Sequence, residues 1–188
     1  MPSSGLPGIH AIPLGSHLYM FYREPKEFLR VTASFLKAGL TENELCVWIL
    51  PHPLTIHLAT EELSRHGFDG ARLQATKQLQ IVTAHDCWFA TPPFDVECSL
   101  MRLVSLSAMA RQRGYASVRA AGGPGPFLSE TSRQVFMRYE YQATEVISEH
   151  PCIGLCCYPW THVATDMFDI MSTHPGALVR TQTGWTSI

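Results

Sequence analysis

The sequence predicts an α/β fold of three layers, in which a mostly parallel sheet carries helices on both faces. Five apolar runs of strand length alternate with five amphipathic helical patterns along the 188 residues. Strict alternation of strand and helix is typical of parallel sheets, because each crossover helix covers one face of the sheet. Hydrophobic residues make up 46% of the chain and charged residues only 16%, which indicates a single apolar domain over residues 16–188.

The first strand–helix unit follows an extended lead-in over residues 1–15, which prolines and glycines interrupt repeatedly. SHLYMFY, residues 16–22, is a short apolar and aromatic run and is the first predicted strand. A helix is predicted over 24–40, since Pro25 is tolerated in a first helical turn and Gly39 is placed to end the helix.

The second and third units repeat this order. ELCVWILP, residues 44–51, is continuously apolar, as strands that are buried on both faces are. A helix is predicted over 53–67. LQIVTAHD, residues 79–86, is the third predicted strand, and a long helix follows over 94–114.

The last two units complete the sheet. ASVRAAGG, residues 116–123, is a strand that runs into the turn GGPGPF, and Ser129 is placed as N-cap of a helix over 129–150. CIGLCCYP, residues 152–159, is the fifth strand. The remaining segments are predicted as a helix over 163–173 and an edge strand within 177–185.

Composition excludes several classes of function. The formal net charge is −2 and no basic stripe is present, so we expect no direct contact with nucleic acid. No apolar stretch reaches the roughly 18 residues of a membrane span, and the start lacks the pattern of a signal peptide. Six cysteines without framework spacing favour a reducing compartment, so we expect a cytoplasmic protein.

The candidate site lies at the carboxyl ends of the strands, where open α/β sheets bind their ligands. Aromatic residues, histidines and glycine turns gather there. The predicted ligand-binding residues are Tyr22, Arg23, His52, His85, Trp88, Gly122, Phe127, Tyr158 and Trp160.

A nucleotide site is degenerate or missing at the first strand-to-helix turn. Phosphate-binding turns need glycines and free backbone N–H groups, but FYREPKEF has no glycine, Glu24 would repel phosphate and Pro25 removes a donor. The glycines of GGPGPF are better placed, yet Pro124 and Pro126 remove donors there, which favours a rigid wall over an anion cradle.

The cysteines allow two interpretations. Cys87 follows His85 and Asp86, and a cysteine beside a histidine is a candidate nucleophile if the two meet in space. In the predicted strand, Cys152 and Cys156 share one face about 13 Å apart, too far to bind one metal ion, and Cys157 faces the other side. We therefore expect residues 152–157 to belong to the core, and no bound metal or cofactor.

The order of several short motifs resembles the MEDS domain, the sensory domain of methanogens and methylotrophs and of the dichloromethane-responsive regulator DcmR. The segments that carry the resemblance are SHLYMFYREPKEFLRVTASFLKAGLTENELCVWILP, LQIVTAHDCWF, VRAAGGPGPFLSE, FMRYE, LCCYP and STHPGALVR. Each motif is weak by itself, but together they span the chain from about His17 to Trp185.

The resemblance implies a fold similar to RecA/KaiC-type ATPases without a working P-loop. It also implies the sensing of a small, one-carbon or halogenated organic ligand. Since no segment between residue 1 and His17 is long enough for a helix-turn-helix, we expect the signal to pass through a regulatory protein partner, through self-association or through a part of the protein outside these 188 residues. Two alternatives stay open: a Cys/His-dependent enzyme or metal- or cofactor-binding sensor, and a degenerate ATPase-like subunit that only docks onto a partner.

Overall fold

A seven-stranded sheet forms the centre of the computed structural model, which describes residues 1–90, 94–125, 130–160 and 163–188. Its spatial order is β5-β4-β6-β7-β3-β8-β9, in which only β9 runs antiparallel to its neighbour. The strands in chain order are β1 (Ser3–Leu6), β2 (Ile9–Ala11), β3 (Ser16–Tyr22), β4 (Leu45–Leu50), β5 (Leu79–Thr83), β6 (Val118–Gly122), β7 (Cys152–Pro159), β8 (Gly176–Arg180) and β9 (Trp185–Ser187).

Helices cover both faces of this sheet, so the predicted three-layer α/β class is confirmed. They are α1 (Pro25–Thr41), α2 (Ile56–Arg65), α3 (Gly70–Ala75), α4 (Val96–Gln112), α5 (Glu130–Ser148) and α6 (Val163–Thr173). One core lies between the sheet and α1 and α2 and contains Phe28, Phe35, Trp48 and Leu63. The other core lies below α4, α5 and α6 and includes several aromatic side chains.

The predicted end of the third strand differs from the structure. The third strand stops at Thr83 instead of residue 86, because the Thr83 hydroxyl bonds both the backbone N–H and the carboxylate of Asp86 and turns the chain. A π-helical turn, His85–Phe89, follows. The predicted N-cap Ser129 lies outside the described residues.

The first fifteen residues, for which we expect an extended lead-in, contain the two-stranded hairpin of β1 and β2. The Ser34 hydroxyl of α1 donates to the carbonyl of Gly5, and Leu6 is buried in the core below α1. At the hairpin turn, the Pro7 carbonyl accepts a hydrogen bond of 2.7 Å from the Trp185 N–H. The hairpin is therefore attached to α1 through β1 and to β9 through its turn.

Gly39 has a different role from the one that the sequence predicts, because α1 continues through it to Thr41. It faces a buried ion pair between Glu44 and Arg119, which Ser117 joins through a hydrogen bond of 2.9 Å to the Glu44 carboxylate. The Arg119 guanidinium also lies 4.7 Å above the Phe35 ring. A Cβ atom at Gly39 would be 2.5 Å from Glu44 Oε2, so glycine is needed for space and not to end the helix.

Within residues 1–90, 94–125, 130–160 and 163–188, no helix combines the length and the apolarity that a bilayer crossing requires.

We expect Gly39→Ala to lower the free energy of unfolding by about 1–3 kcal/mol, because the new methyl group meets buried, hydrogen-bonded groups of Glu44 and Arg119 that cannot move cheaply. Urea denaturation measures this change. The exposed Lys37→Ala in the same helix is the control and should stay within roughly 0.5 kcal/mol of wild type. A stabilised Gly39→Ala protein, which helix propensity alone would give, contradicts the steric argument.

Candidate functional site

The pairing of β3 with β7 places one row of side chains on a single face of the sheet. Tyr19 pairs with Cys156, and Phe21 with Tyr158. Paired residues of parallel strands point to the same face, and side chains repeat on that face at every second residue. His17 therefore starts a row that runs below α5 and α6 to the carboxyl edge of the sheet.

A buried cluster of four potential ligands lies at the inner end of this row. It contains His17 from β3, Glu140 from α5, Cys156 from β7 and His174 from the turn after α6. One donor atom from each lies within 4.8 Å of the others. Glu140 Oε2 is 3.2 Å from His17 Nε2 and 3.4 Å from His174 Nε2, and Cys156 Sγ is 3.3 Å from His17 Nε2.

A glycine in β7 and the residue spacing in α5 allow the four side chains to meet. Gly154 stands opposite His17 in the neighbouring strand, and a Cβ atom there would be 3.2 Å from the imidazole Cδ2. Glu140 is four residues after Phe136, so the α5 face that packs on the sheet also carries the carboxylate inward. The side chains of His17, Glu140 and His174 are almost fully buried.

Burial dominates the electrostatics of the cluster. It lowers the pKa of His17 and, together with the Glu140 charge, raises the pKa of the Cys156 thiol. Burial also acts to raise the pKa of Glu140, but hydrogen bonds that His17 and His174 can donate in their protonated forms outweigh it and hold this pKa below its usual range. The cluster thus buries a carboxylate charge beside a histidine whose protonation is disfavoured.

Aromatic side chains connect the cluster to the edge of the sheet. The His174 ring contacts Tyr19 at a centroid distance of 5.5 Å and Tyr158 at 6.0 Å. Phe21 continues the row, 5.5 Å from Tyr19 and 5.8 Å from the ring of Trp160. The Tyr158 hydroxyl is buried without a hydrogen-bond partner in the described part of the chain.

The row ends in an open groove of about 1360 Å³. Its aromatic and aliphatic lining comes from the row, from α1, α2 and α6, and from the β8–β9 end: Tyr19, Phe21, Leu29, Leu58, Trp160, Met167, Met171, Leu178, Val179 and Ile188. Arg23 lies over the Trp160 ring at 5.4 Å. Trp160 is still 48% exposed, which leaves an aromatic surface for a ligand to cover.

The start of α1 borders the groove and is already occupied by a carboxylate of the chain itself. Glu27 Oε2 accepts from the Arg23 backbone N–H at 2.8 Å, while Glu27 Oε1 accepts from Arg180 at 2.9 Å. Pro25 is the first residue of the helix and supplies no donor. In a P-loop protein, backbone N–H groups at this position bind phosphate. In this chain, the Glu27 carboxylate takes that place.

Arg23 and Trp160 are the predicted site residues that the structure brings together in the groove. Tyr158 lies beneath them, fully buried, with its ring 6.4 Å from Phe21. Tyr22 points the other way, as its place in the strand requires, and packs against Phe28 in the core below α1.

The other predicted site residues do not reach this groove. Trp88 is buried beside α5 and lines a second hollow of about 730 Å³. His85 and His52 are exposed, on the π-helical turn and after β4 respectively. Gly122 is buried at the end of β6, where a side chain would meet β4, and Phe127 lies outside the described residues.

The sequence-based prediction missed the buried cluster, because it compared the position of Cys156 only with the positions of other cysteines. The alternation on β7 is confirmed: Cys157 faces the core below α1 and Cys156 the opposite core. The partners of Cys156 come from distant segments. A signal was present, since the motifs SHLYMFY, FMRYE, LCCYP and STHPGALVR contain one cluster residue each: His17, Glu140, Cys156 and His174.

Comparison with known proteins supports the fold and identifies the family. A KaiC-like protein from the hyperthermophilic archaeon Pyrococcus horikoshii OT3 has a similar structure, with a TM-score of 0.64 over 100% of this chain and 86% of that chain, at 13% identity. No curated protein matches the sequence. The family model of the MEthanogen/methylotroph, DcmR Sensory domain matches residues 16–175. The chain therefore belongs to the MEDS family of sensory domains.

Proposed function

We propose that this sensory domain binds a small organic molecule with an apolar body and an acidic group in the groove beside Trp160. The half-exposed aromatic surface of Trp160, next to Arg23 at the carboxyl edge of the sheet, is the observation that carries the proposal. Sites for small molecules combine such apolar surface with a few polar groups that fix orientation.

The charges of the groove favour an anion. Five basic residues line it, against three acidic ones: Arg23, Lys26, Arg30, Arg65 and Arg180, with Glu24, Glu27 and Glu61. Arginine binds carboxylates through two parallel hydrogen bonds, so an acidic group would lie at this rim. The volume of about 1360 Å³ is far larger than a one-carbon compound needs, which favours a ligand of several carbons over the smallest compounds that the resemblance implies.

The signal would leave the domain through α6. Met167 and Met171 of this helix line the groove, and its last turn leads directly to His174 in the buried cluster. A ligand that contacts α6 in one of two positions shifts the population between them. A regulatory protein partner or a second copy of the chain would then detect the changed surface.

We expect Trp160→Ala to weaken ligand binding by about 2 kcal/mol, roughly 30-fold, because an aromatic anchor of the site is lost. A panel of aromatic and chlorinated carboxylic acids, each paired with the neutral alcohol, is tested by thermal shift of the purified protein. The acids should stabilise wild type more than the alcohols do.

Tyr141→Ala is the matched control, since Tyr141 is a 69% exposed aromatic residue of α5 outside the groove lining. It should bind the acids as wild type does. An equal loss in both variants, or no stabilisation by any compound of the panel, contradicts the proposed site.

The alternative of a Cys/His-dependent enzyme finds little support at Cys87. His85 and Cys87 belong to a helical turn and not to a strand, so they do not share the face that a strand would give them. Burial raises the pKa of the Cys87 thiol to about 11, only partly offset by Arg102. A nucleophilic cysteine requires the opposite shift, towards the thiolate.

We therefore expect Cys87 to be a poor nucleophile. With a pKa about two units above the usual 9.0, its thiolate fraction at pH 8 is roughly 100-fold below that of an unperturbed thiol. Alkylation by iodoacetamide, followed by mass spectrometry, should label exposed Cys98 far faster than Cys87, and labelling of Cys87 should rise about tenfold per pH unit up to about pH 11. Equal labelling of Cys87 and Cys98 at pH 8 would contradict this expectation and support the enzyme hypothesis.

A further inference from the structure

We propose that His17, Glu140, Cys156 and His174 form a binding site for a zinc ion. Imidazole nitrogen, thiolate sulfur and carboxylate oxygen are the ligands that zinc takes in proteins. The site is separate from the ligand groove, so tests of zinc binding do not depend on whether the proposed organic ligand binds.

The spacing of the donor atoms fits tetrahedral coordination. Ligands that bind zinc at about 2.0–2.3 Å in a tetrahedron lie roughly 3.3–3.7 Å from one another. Glu140 Oε2 lies 3.2 Å from His17 Nε2, 3.4 Å from His174 Nε2 and 3.5 Å from Cys156 Sγ. The distance from His17 Nε2 to Cys156 Sγ is 3.3 Å. Four of the six distances between donor atoms thus have the spacing that one ion requires, and the other two, from His174 to His17 and to Cys156, are within 4.8 Å.

The hydrogen bonds of His174 direct a lone pair towards the centre of the cluster. Its Nδ1 is 2.8 Å from the carbonyl oxygen of Ile170. A carbonyl only accepts, so Nδ1 carries the hydrogen, and neutral His174 has a lone pair on Nε2. This Nε2 is buried without a hydrogen-bond partner in the described part of the chain.

His17 is held in the same tautomer through Thr144. Its Nδ1 is 2.7 Å from the Thr144 hydroxyl, and that hydroxyl donates its hydrogen to the Thr173 carbonyl at 2.6 Å. The Thr144 oxygen therefore accepts from Nδ1, and the Nε2 lone pair of His17 faces Glu140. Metal-binding histidines are oriented in this way, by a hydrogen bond from the ring nitrogen that does not bind the metal.

A zinc ion would also balance the charge of the cluster once the Cys156 thiol has lost its proton on metal binding. Two neutral imidazoles, a carboxylate and a thiolate carry two negative charges, which a zinc ion neutralises. Without an ion, the Nε2 lone pairs of His17 and His174 face the carboxylate of Glu140, and the Glu140 Oε1 atom is buried without a hydrogen-bond partner among the described residues. Buried charges and polar groups that lack partners are strongly unfavourable.

Four protein ligands leave no open position on a tetrahedral ion, as in sites that hold a fold together. The ion would join β3, α5, β7 and the turn between α6 and β8 at one point. The expected role is therefore to fix the end of α6, and not to activate water.

Cobalt substitution tests the proposal on the full chain. The purified protein is stripped of metal with a chelator and titrated with Co²⁺. We expect visible bands of tetrahedral cobalt and a near-ultraviolet thiolate-to-cobalt band, both saturating at one ion per chain, and displacement of cobalt by Zn²⁺. Elemental analysis of untreated protein from zinc-supplemented cells should find one zinc per chain.

Variants assign the ligands. Cys156→Ser should remove the thiolate-to-cobalt band, and His174→Gln should lower zinc affinity by at least about 100-fold. Thr144→Val, which removes only the acceptor for His17 Nδ1–H, should lower it by about 10–100-fold. Cys157→Ala is the matched control, because the neighbouring thiol faces the opposite core, and it should keep the band.

Circular dichroism shows which variants fold. If a variant of a metal ligand does not fold, the cobalt spectra of the wild-type protein decide whether the site binds metal. Folded wild-type protein that takes up neither Co²⁺ nor Zn²⁺ overturns the proposal and leaves a hydrogen-bonded histidine–carboxylate cluster. So does a thiolate-to-cobalt band that survives Cys156→Ser. Stoichiometric binding of another metal in preference to zinc overturns the assignment to zinc.

Discussion

The parallel register between β3 and β7 is the constraint on which the site depends. Tyr19 beside Cys156 and Phe21 beside Tyr158 place the ligand-type and aromatic side chains in one row. A slip of one residue in either strand would turn its half of the row to the opposite face. The buried cluster, the aromatic contacts and the groove would then separate, although every strand and helix could still form.

Two buried carboxylates in this fold are compensated in different ways. Glu44 meets a permanent cation, since Arg119 is always protonated, and Ser117 completes its hydrogen bonding. Glu140 instead meets His17 and His174, which bring a positive charge only if they are protonated. The first arrangement can stabilise the fold without further components. The second depends on a proton or a bound cation, and for this reason it is the more informative of the two about function.

The sequence predicts the features that local patterns determine, and it misses those that depend on distant contacts. Alternating apolar runs and helical patterns suffice for the five strand–helix units and for the two faces of β7. The space required at Gly39 is set by the ion pair of Glu44 with Arg119, which lies eighty residues later, and the helix pattern alone does not show it. In the same way, a strand pattern shows which way Cys156 points, but it does not show that α5 and the turn after α6 bring Glu140 and His174 to the same place.

The hairpin of β1 and β2 limits how copies of this domain can associate. An exposed sheet edge offers unpaired N–H and C=O groups on which another chain can add a strand. Here the outward N–H of Trp185, in the last strand, already donates to Pro7 at the hairpin turn. Strand addition at this edge would first have to displace the hairpin from α1. Assembly that leaves the hairpin in place must therefore use helix surfaces or the opposite edge of the sheet. The N-terminal hairpin thus prevents a further strand from adding at β9.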